Sequence, residues 1–197
     1  MNLIKKYFPD LSPQMYLQLD TFRELILTWN EKVNLVSRKD TQFLTERHIL
    51  HSLAIAKAFS FPEGCKILDV GTGGGFPGIP LALVFPGSRF MLVDSIGKKI
   101  HAINDISMQL KLKNVTTLNT RIENHFDKYD YVIARAVTNL PRFNSWVDKN
   151  FTKGLIYLKG GDFTLETEKL SDARIINISD FFEEEFFETK KIVYLAK

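Results

Sequence analysis

The run Leu68-Asp69-Val70-Gly71-Thr72-Gly73-Gly74-Gly75-Phe76-Pro77-Gly78 holds four glycines within five residues. Glycine lets the backbone turn sharply and lets a ligand come close to the main chain. Asp94 closes the next apolar run, nineteen positions after Gly75. From that position a carboxylate accepts hydrogen bonds from ribose hydroxyls. Loop and acid together indicate a ligand that carries a ribose. The dinucleotide fingerprint G-x-G-x-x-G fits poorly. Counted from Gly71, its third glycine falls on Phe76, and the frame Gly73, Gly75, Gly78 puts Pro77 at the helix entry. Asp69-x-Gly71-x-Gly73-x-Gly75 suits S-adenosylmethionine better, because that molecule has no pyrophosphate and its ammonium group is met by an acid or a carbonyl. A nicotinamide or flavin cofactor stays the alternative.

If the ligand donates a methyl group, the residue types restrict the acceptor. Exocyclic amines call for an Asn/Asp-Pro-Pro-aromatic loop after the fourth strand, where this chain has Ala134-Arg135-Ala136-Val137. Carbon 5 of a pyrimidine needs a thiolate nucleophile. Cys65, the single cysteine, precedes the first strand. A Lys/Asp pair for ribose 2′-O transfer is absent there too, since Arg135 holds the place of the acid. Acceptors with a free lone pair remain, guanine N7 among them. That atom carries no proton, so no general base is required. His48 and His51 form an H-x-x-H pair without an evident third ligand, so no metal is expected. Arg135 and Lys159 end strands, on the side where open α/β sheets bind ligands.

Elements to hold these residues follow from periodicity. Residues 1–60 read as helical. Ser12 and Pro13 start a helix whose apolar stripe (Met15, Leu19, Phe22, Ile26, Trp29) runs to about Lys32. Asp40 is the expected cap of a second helix reaching about Phe59. Strands are expected at 66–70, 89–93, 115–119, 129–134 and 155–158, and near 174–178 and 191–196. Helices are expected at 79–85, 98–110 and 141–150. Strand alternating with helix predicts a parallel α/β sheet covered on both faces, and the last two strands an antiparallel edge. Phe181, Phe182, Phe186 and Phe187 are expected to pack rather than stack on bases.

The 197 residues, 45% apolar and 25% charged with sixteen Phe, exclude intrinsic disorder. No apolar run approaches the ~18 residues that span a bilayer, and the start of the chain lacks the apolar core of a secretion signal. A lone cysteine excludes a disulfide framework. A cytoplasmic protein is the expectation. Net charge is +3, unevenly spread: Asp172 to Glu188 holds six acids against Arg174, a net of −5, which leaves +8 on the rest. A basic body suits a polyanionic partner.

The chain resembles the RsmG/GidB family of bacterial 16S ribosomal RNA guanine-N7 methyltransferases over nearly its whole length. The resemblance is carried by Trp29-Asn30-Glu31-Lys32-Val33-Asn34-Leu35, Arg47-His48-Ile49-Leu50-His51-Ser52-Leu53 and Asp69 to Leu81, above all Gly75-Phe76-Pro77-Gly78-Ile79-Pro80-Leu81. Val93 to Lys99, Arg121-Ile122-Glu123, Ala134-Arg135-Ala136 and Leu158-Lys159-Gly160 complete it. It implies a class I, Rossmann-like methyltransferase with a seven-stranded, mostly parallel sheet (61–197) behind a helical N-terminal extension (1–60). The implied reaction moves a methyl group from S-adenosylmethionine to N7 of guanine-527 in 16S ribosomal RNA, leaving S-adenosylhomocysteine. Cofactor contacts are implied for Gly71, Gly73, Phe76, Asp94, Ile122, Glu123 and Arg135. RNA or active-site positioning is implied for Asn34, Arg47, His48, Arg121 and Lys159, with no residue as acid or base and no metal. The partner would be 16S ribosomal RNA or the small subunit, met by a cytoplasmic monomer without membrane attachment. Two residues depart from the family pattern: His51 replaces a usual Asp, and Lys190 stands where some relatives carry Arg.

Overall fold

Short apolar runs become strands here because both faces of the sheet are covered. The computed structural model describes residues 2–161, 166 and 172–197. Its strands are β1 (Lys66–Val70), β2 (Arg89–Asp94), β3 (Val115–Asn119), β4 (Tyr129–Arg135), β5 (Phe151–Gly160), β6 (Ala173–Asn177) and β7 (Lys190–Ala196). They form one sheet in the order β3-β2-β1-β4-β5-β7-β6. β1 to β5 run parallel, and β7 lies antiparallel between β5 and β6. The expected seven-stranded sheet with an antiparallel edge is thus present. The chain reverses its direction of progress between β1 and β4, the place where such sheets open a crevice at their carboxyl ends.

Helices α1 (Asn2–Tyr7), α2 (Pro13–Asn30), α3 (His51–Ala58), α4 (Gly78–Val84), α5 (Gly97–Gln109) and α6 (Leu140–Val147) cover the sheet. Alternation along the strands sorts two cores. Ile67, Phe90 and Leu92 face a core shared with Ile4, Leu19, Phe22, Ile26 and Leu53 from the N-terminal helices. Leu68, Val70 and Val93 face a second core with Phe143 and Val147 of α6. The N-terminal helices therefore complete one face of the sheet.

Several boundaries differ from those read in the sequence. α2 begins as expected, with Ser12 Oγ accepting from the Met15 amide at 3.2 Å. It stops at Asn30 because the Asn30 side-chain oxygen accepts from the amides of Leu35 (2.8 Å) and Val36 (2.9 Å), folding the chain back. The expected helix from Asp40 to Phe59 is three pieces: a 3-10 turn (Arg38–Phe43), a π-helical turn (Thr45–Leu50) and α3. Ser37, not Asp40, caps the first piece. The Asp40 carboxylate instead accepts from Arg47 at 3.1 Å. β5 runs longer than expected, since Phe151 pairs with Tyr129 beyond a bulge that puts one extra residue into β5 before Gly154. Phe182 and Phe187 are buried, 4.9 Å apart, beneath Tyr7 of α1. Part of the acidic stretch is pinned there too, Glu183 and Glu184 by Lys6, and Glu184 also by the Tyr7 hydroxyl.

Candidate functional site

The glycine loop is tied at both ends by one buried carboxylate. Asp69 Oδ2 accepts from Thr72 Oγ1 at 2.7 Å and from the Gly78 amide at 2.9 Å. A Cβ on Gly78 would lie 2.6 Å from that oxygen and 3.0 Å from Leu92, so only glycine fits. Asp69 Oδ1 is buried without a partner among the described residues. Burial pushes the Asp69 carboxyl up to about 7, against the pull of Thr72, Gly78 and Arg135. At the end of β2, Asp94 accepts from the Gly73 amide (3.0 Å) through one oxygen and from the Ile96 amide (2.9 Å) through the other.

Between loop and acid lies a cleft of about 180 Å³. Gly71, Asp94, Arg121, Ile122, Glu123, Val137 and Trp146 are in its wall. Gly71 has φ +68°, and a Cβ there would come within 2.8 Å of Val137. Both the left-handed backbone and the close approach call for glycine. Bare backbone, an acid whose oxygens each keep a lone pair, and apolar walls suit a nucleoside-like ligand with hydroxyls to bind.

A second, basic cavity of about 600 Å³ opens beside it. Arg47, His48, Arg135, Lys159 and Lys190 line it, with Asp40, His51 and Phe186. Ala136 belongs to this cavity and its neighbour Val137 to the cleft, so the segment after β4 is the partition. Arg135 organises the wall. Its Nη1 donates to the Arg47 carbonyl at 3.1 Å and its Nη2 to His48 Nδ1 at 2.9 Å. Its guanidinium lies 5.0 Å from the Phe76 ring centre, and the His48 ring is 5.2 Å from that ring. Desolvation lowers the Arg135 pKa to about 10, which still leaves it charged near neutrality.

Both histidines of the cavity are neutral. Burial, then the Arg135 charge, pulls His48 down to about 3. Burial first, with Arg135, Lys190 and His48 adding, holds His51 well below its ordinary range. His51 packs edge-on to Phe186 and Phe187, and its Nε2 is buried without a partner among the described residues. A base whose folded pKa is depressed stabilises the fold above its unfolded pKa and loses that contribution as pH falls. Stability to urea should therefore drop from about pH 6.5 downwards, the window set by an ordinary histidine. In His51→Leu that acid limb should be shallower, as urea titrations at pH 4, 5 and 7 would read; an unchanged limb would show that His51 is not one of its sources.

The expected residues divide between the two cavities. Gly71, Asp94, Ile122 and Glu123 line the cleft, and Gly73 joins it through its bond to Asp94. Arg47, His48, Arg135 and Lys159 line the basic cavity. Arg121, grouped with the RNA residues in the sequence, lines the cleft. Phe76 lines neither: it is buried against Phe22, His48 and Arg135 as the floor beneath them. Asn34 is exposed next to Leu35, whose Cβ would lie 3.3 Å from a Cβ on Gly74. Lys159 is paired with Glu166 at 2.9 Å, and Glu166 also accepts from the Leu140 amide that opens α6. Phe186, expected to pack, and Asp40, expected to cap a helix, also line the basic cavity, as does Lys190, while Glu166 reaches it through Lys159. The one signal for Lys190 is Gly160, opposite it across β5 and β7, where a Cβ would meet the lysine chain at 2.9 Å.

Sheet order, crossover and the cleft at the β1/β4 reversal define a class I methyltransferase fold. Solved structures of that class superpose at low sequence identity. Magnesium protoporphyrin IX methyltransferase from Synechocystis, with bound S-adenosylmethionine, gives a TM-score of 0.61 at 14% identity over 95% of this chain and 99% of that one. An S-adenosylmethionine-dependent methyltransferase from Aquifex aeolicus gives 0.56 at 18% identity, over 82% and 98%. The chain belongs to the GidB family, rRNA small subunit methyltransferase G, whose profile matches residues 15–192. Relatives carrying the name ribosomal RNA small subunit methyltransferase G are 50% identical in Christiangramia forsetii, over 99% of this chain and 96% of the relative. In Cytophaga hutchinsonii the identity is 48% over 99% of both chains, and in Bacteroides thetaiotaomicron 46% over 98% of both.

Proposed function

We propose that this protein transfers the methyl group of S-adenosylmethionine to N7 of a guanine in 16S ribosomal RNA of the small subunit. The observation that carries the reading is the joining of a nucleoside-type cleft to a basic cavity across Arg135-Ala136-Val137. Gly71, Asp94, Ile122 and Glu123 would hold S-adenosylmethionine, the two acids toward its hydroxyls and Gly71 by close main-chain contact. When bound, the cofactor supplies a methyl group already activated on a sulfonium. Arg47, Lys159 and Lys190 meet phosphate, and Arg135 keeps Arg47 and His48 in place. Substrate phosphate has to compete with Glu166 for Lys159. Membership of the small-subunit family points the basic cavity toward ribosomal RNA, and a cytoplasmic site of action follows from that substrate.

The chemistry asked of these residues is alignment. Neither histidine lining the basic cavity is suited to take a proton near neutrality, since both are depressed far below pH 7; Arg135 is charged, and the Asp40 carboxylate is engaged by Arg47 at 3.1 Å. An acceptor with an in-plane lone pair and no proton matches that set. Purified small subunits, incubated with the protein and methyl-labelled S-adenosylmethionine, should take label into 16S RNA. The single-turnover rate should change by less than about threefold between pH 6.5 and 8.5, the span an ordinary histidine base would dominate. A rate that climbs tenfold per pH unit would show that a proton is removed and would contradict N7 as the acceptor.

A further inference from the structure

The contact between Arg135 and His48 decides which ring nitrogen of His48 carries the proton. A guanidinium has donors only. At 2.9 Å from Arg135 Nη2, His48 Nδ1 must therefore be the acceptor. The single proton of the ring sits on Nε2. That atom has no hydrogen-bond partner among the described residues, and His48 is only half-buried, whereas His51 is buried. His48 lines the basic cavity, and Phe76 supports its ring from beneath. The cavity is thus offered a neutral N–H donor of fixed tautomer, beside a guanidinium already engaged with the protein.

Base edges distinguish what such a donor accepts. Guanine presents two acceptors on its major-groove edge, N7 and O6, whereas adenine presents N7 and an amino donor. A donor set against N7 itself would tie up the lone pair that must react. Set against O6, it grips the base one atom away and leaves N7 free; set against adenine, it meets N–H with N–H. Resting on the guanine-N7 reading above, we propose that His48 Nε2–H hydrogen-bonds O6 of the target guanine, with Arg135 as the positioning residue that sets the tautomer, so that the pair selects guanine over adenine.

Small subunits reconstituted with guanine or 2-aminopurine at the methylated position test this, because 2-aminopurine keeps N7 and loses O6. With S-adenosylhomocysteine present and no transfer possible, the wild-type protein should bind the guanine subunit about five- to tenfold more tightly, as expected for one base-edge contact. Equal affinities would overturn the inference, whatever the variants do. In transfer assays, intrinsic N7 reactivity also differs between the bases, so the guanine-to-2-aminopurine ratio of kcat/KM is compared between proteins. His48→Phe should lower that ratio by about the same factor, while His48→Gln, which restores an N–H donor, should recover most of it. A ratio unchanged in His48→Phe would mean that His48 serves phosphate or packing instead. The parent reading fails separately, by absence of N7 methylation on unaltered subunits.

Discussion

Arg135→Met should lose methyl transfer by two to three orders of magnitude while the protein stays folded. Methionine fills much of the arginine's volume over Phe76 but donates nothing. The Arg47 carbonyl and His48 Nδ1 lose their partners at 3.1 and 2.9 Å, and the π-helical turn loses its tie to β4. Two lost hydrogen bonds from a charged donor, at about 1.5–2 kcal/mol each and expressed largely as misplacement of the site, correspond to roughly a hundred- to thousandfold in rate. The electrostatic consequences are separable from the geometric one. With the guanidinium gone, His48 should titrate above about 3, though still below an ordinary histidine, because burial is the larger cause. The Asp69 carboxyl should rise above about 7, because Arg135 is one of the groups holding it down. NMR titration of the His48 ring reads the first effect. A variant with wild-type turnover would show that Arg135 organises nothing that matters for transfer.

Gly78→Ala should cost about 2–5 kcal/mol of stability, the sum of an overpacked core position and a broken buried hydrogen bond. The added carbon would sit 2.6 Å from Asp69 Oδ2 and 3.0 Å from fully buried Leu92, neither of which has room to yield. α4 must then back away, releasing the Gly78 amide from Asp69 and loosening Thr72 with it. The cleft should lose its hold on S-adenosylhomocysteine in the same variant, read by calorimetric titration. Gly64→Ala is the control: φ is +78°, but nothing lies within 4 Å of the added carbon. It should cost only about 1 kcal/mol and leave binding intact. Equal losses in the two variants would remove Asp69 from the account.

The sequence exposes the sheet and the cleft far better than it exposes the basic cavity, and the reason is chain distance. Strands covered on both faces appear as short apolar runs, so β1, β2 and β4 are legible within a residue or two. The loop Gly71 to Gly78 is contiguous, and Asp94 stands one strand away. The basic cavity draws on the π-helical turn (Arg47, His48), the end of β4 (Arg135), the end of β5 (Lys159) and the start of β7 (Lys190). No local pattern joins those places. His51 seemed a lost acid; in the fold it is a neutral ring between Phe186 and Phe187. Phe76 seemed a contact and is a floor. In the sequence Asn30 is only part of the phrase Trp29 to Leu35, yet its side chain ends α2 and presents Leu35 to the glycine loop.

Chemical mapping of N7-methylguanosine in 16S ribosomal RNA tests the central claim most directly. Methylation at N7 leaves the purine cationic and opens the strand to borohydride reduction and aniline scission at that nucleotide. RNA from cells lacking the protein should show no scission at the target guanine. Adding the purified protein and S-adenosylmethionine to small subunits from those cells should produce it, and Arg135→Met should produce little. Scission that persists in cells without the protein, or label that enters the RNA without making a guanine scissile, would contradict N7 methylation by this site.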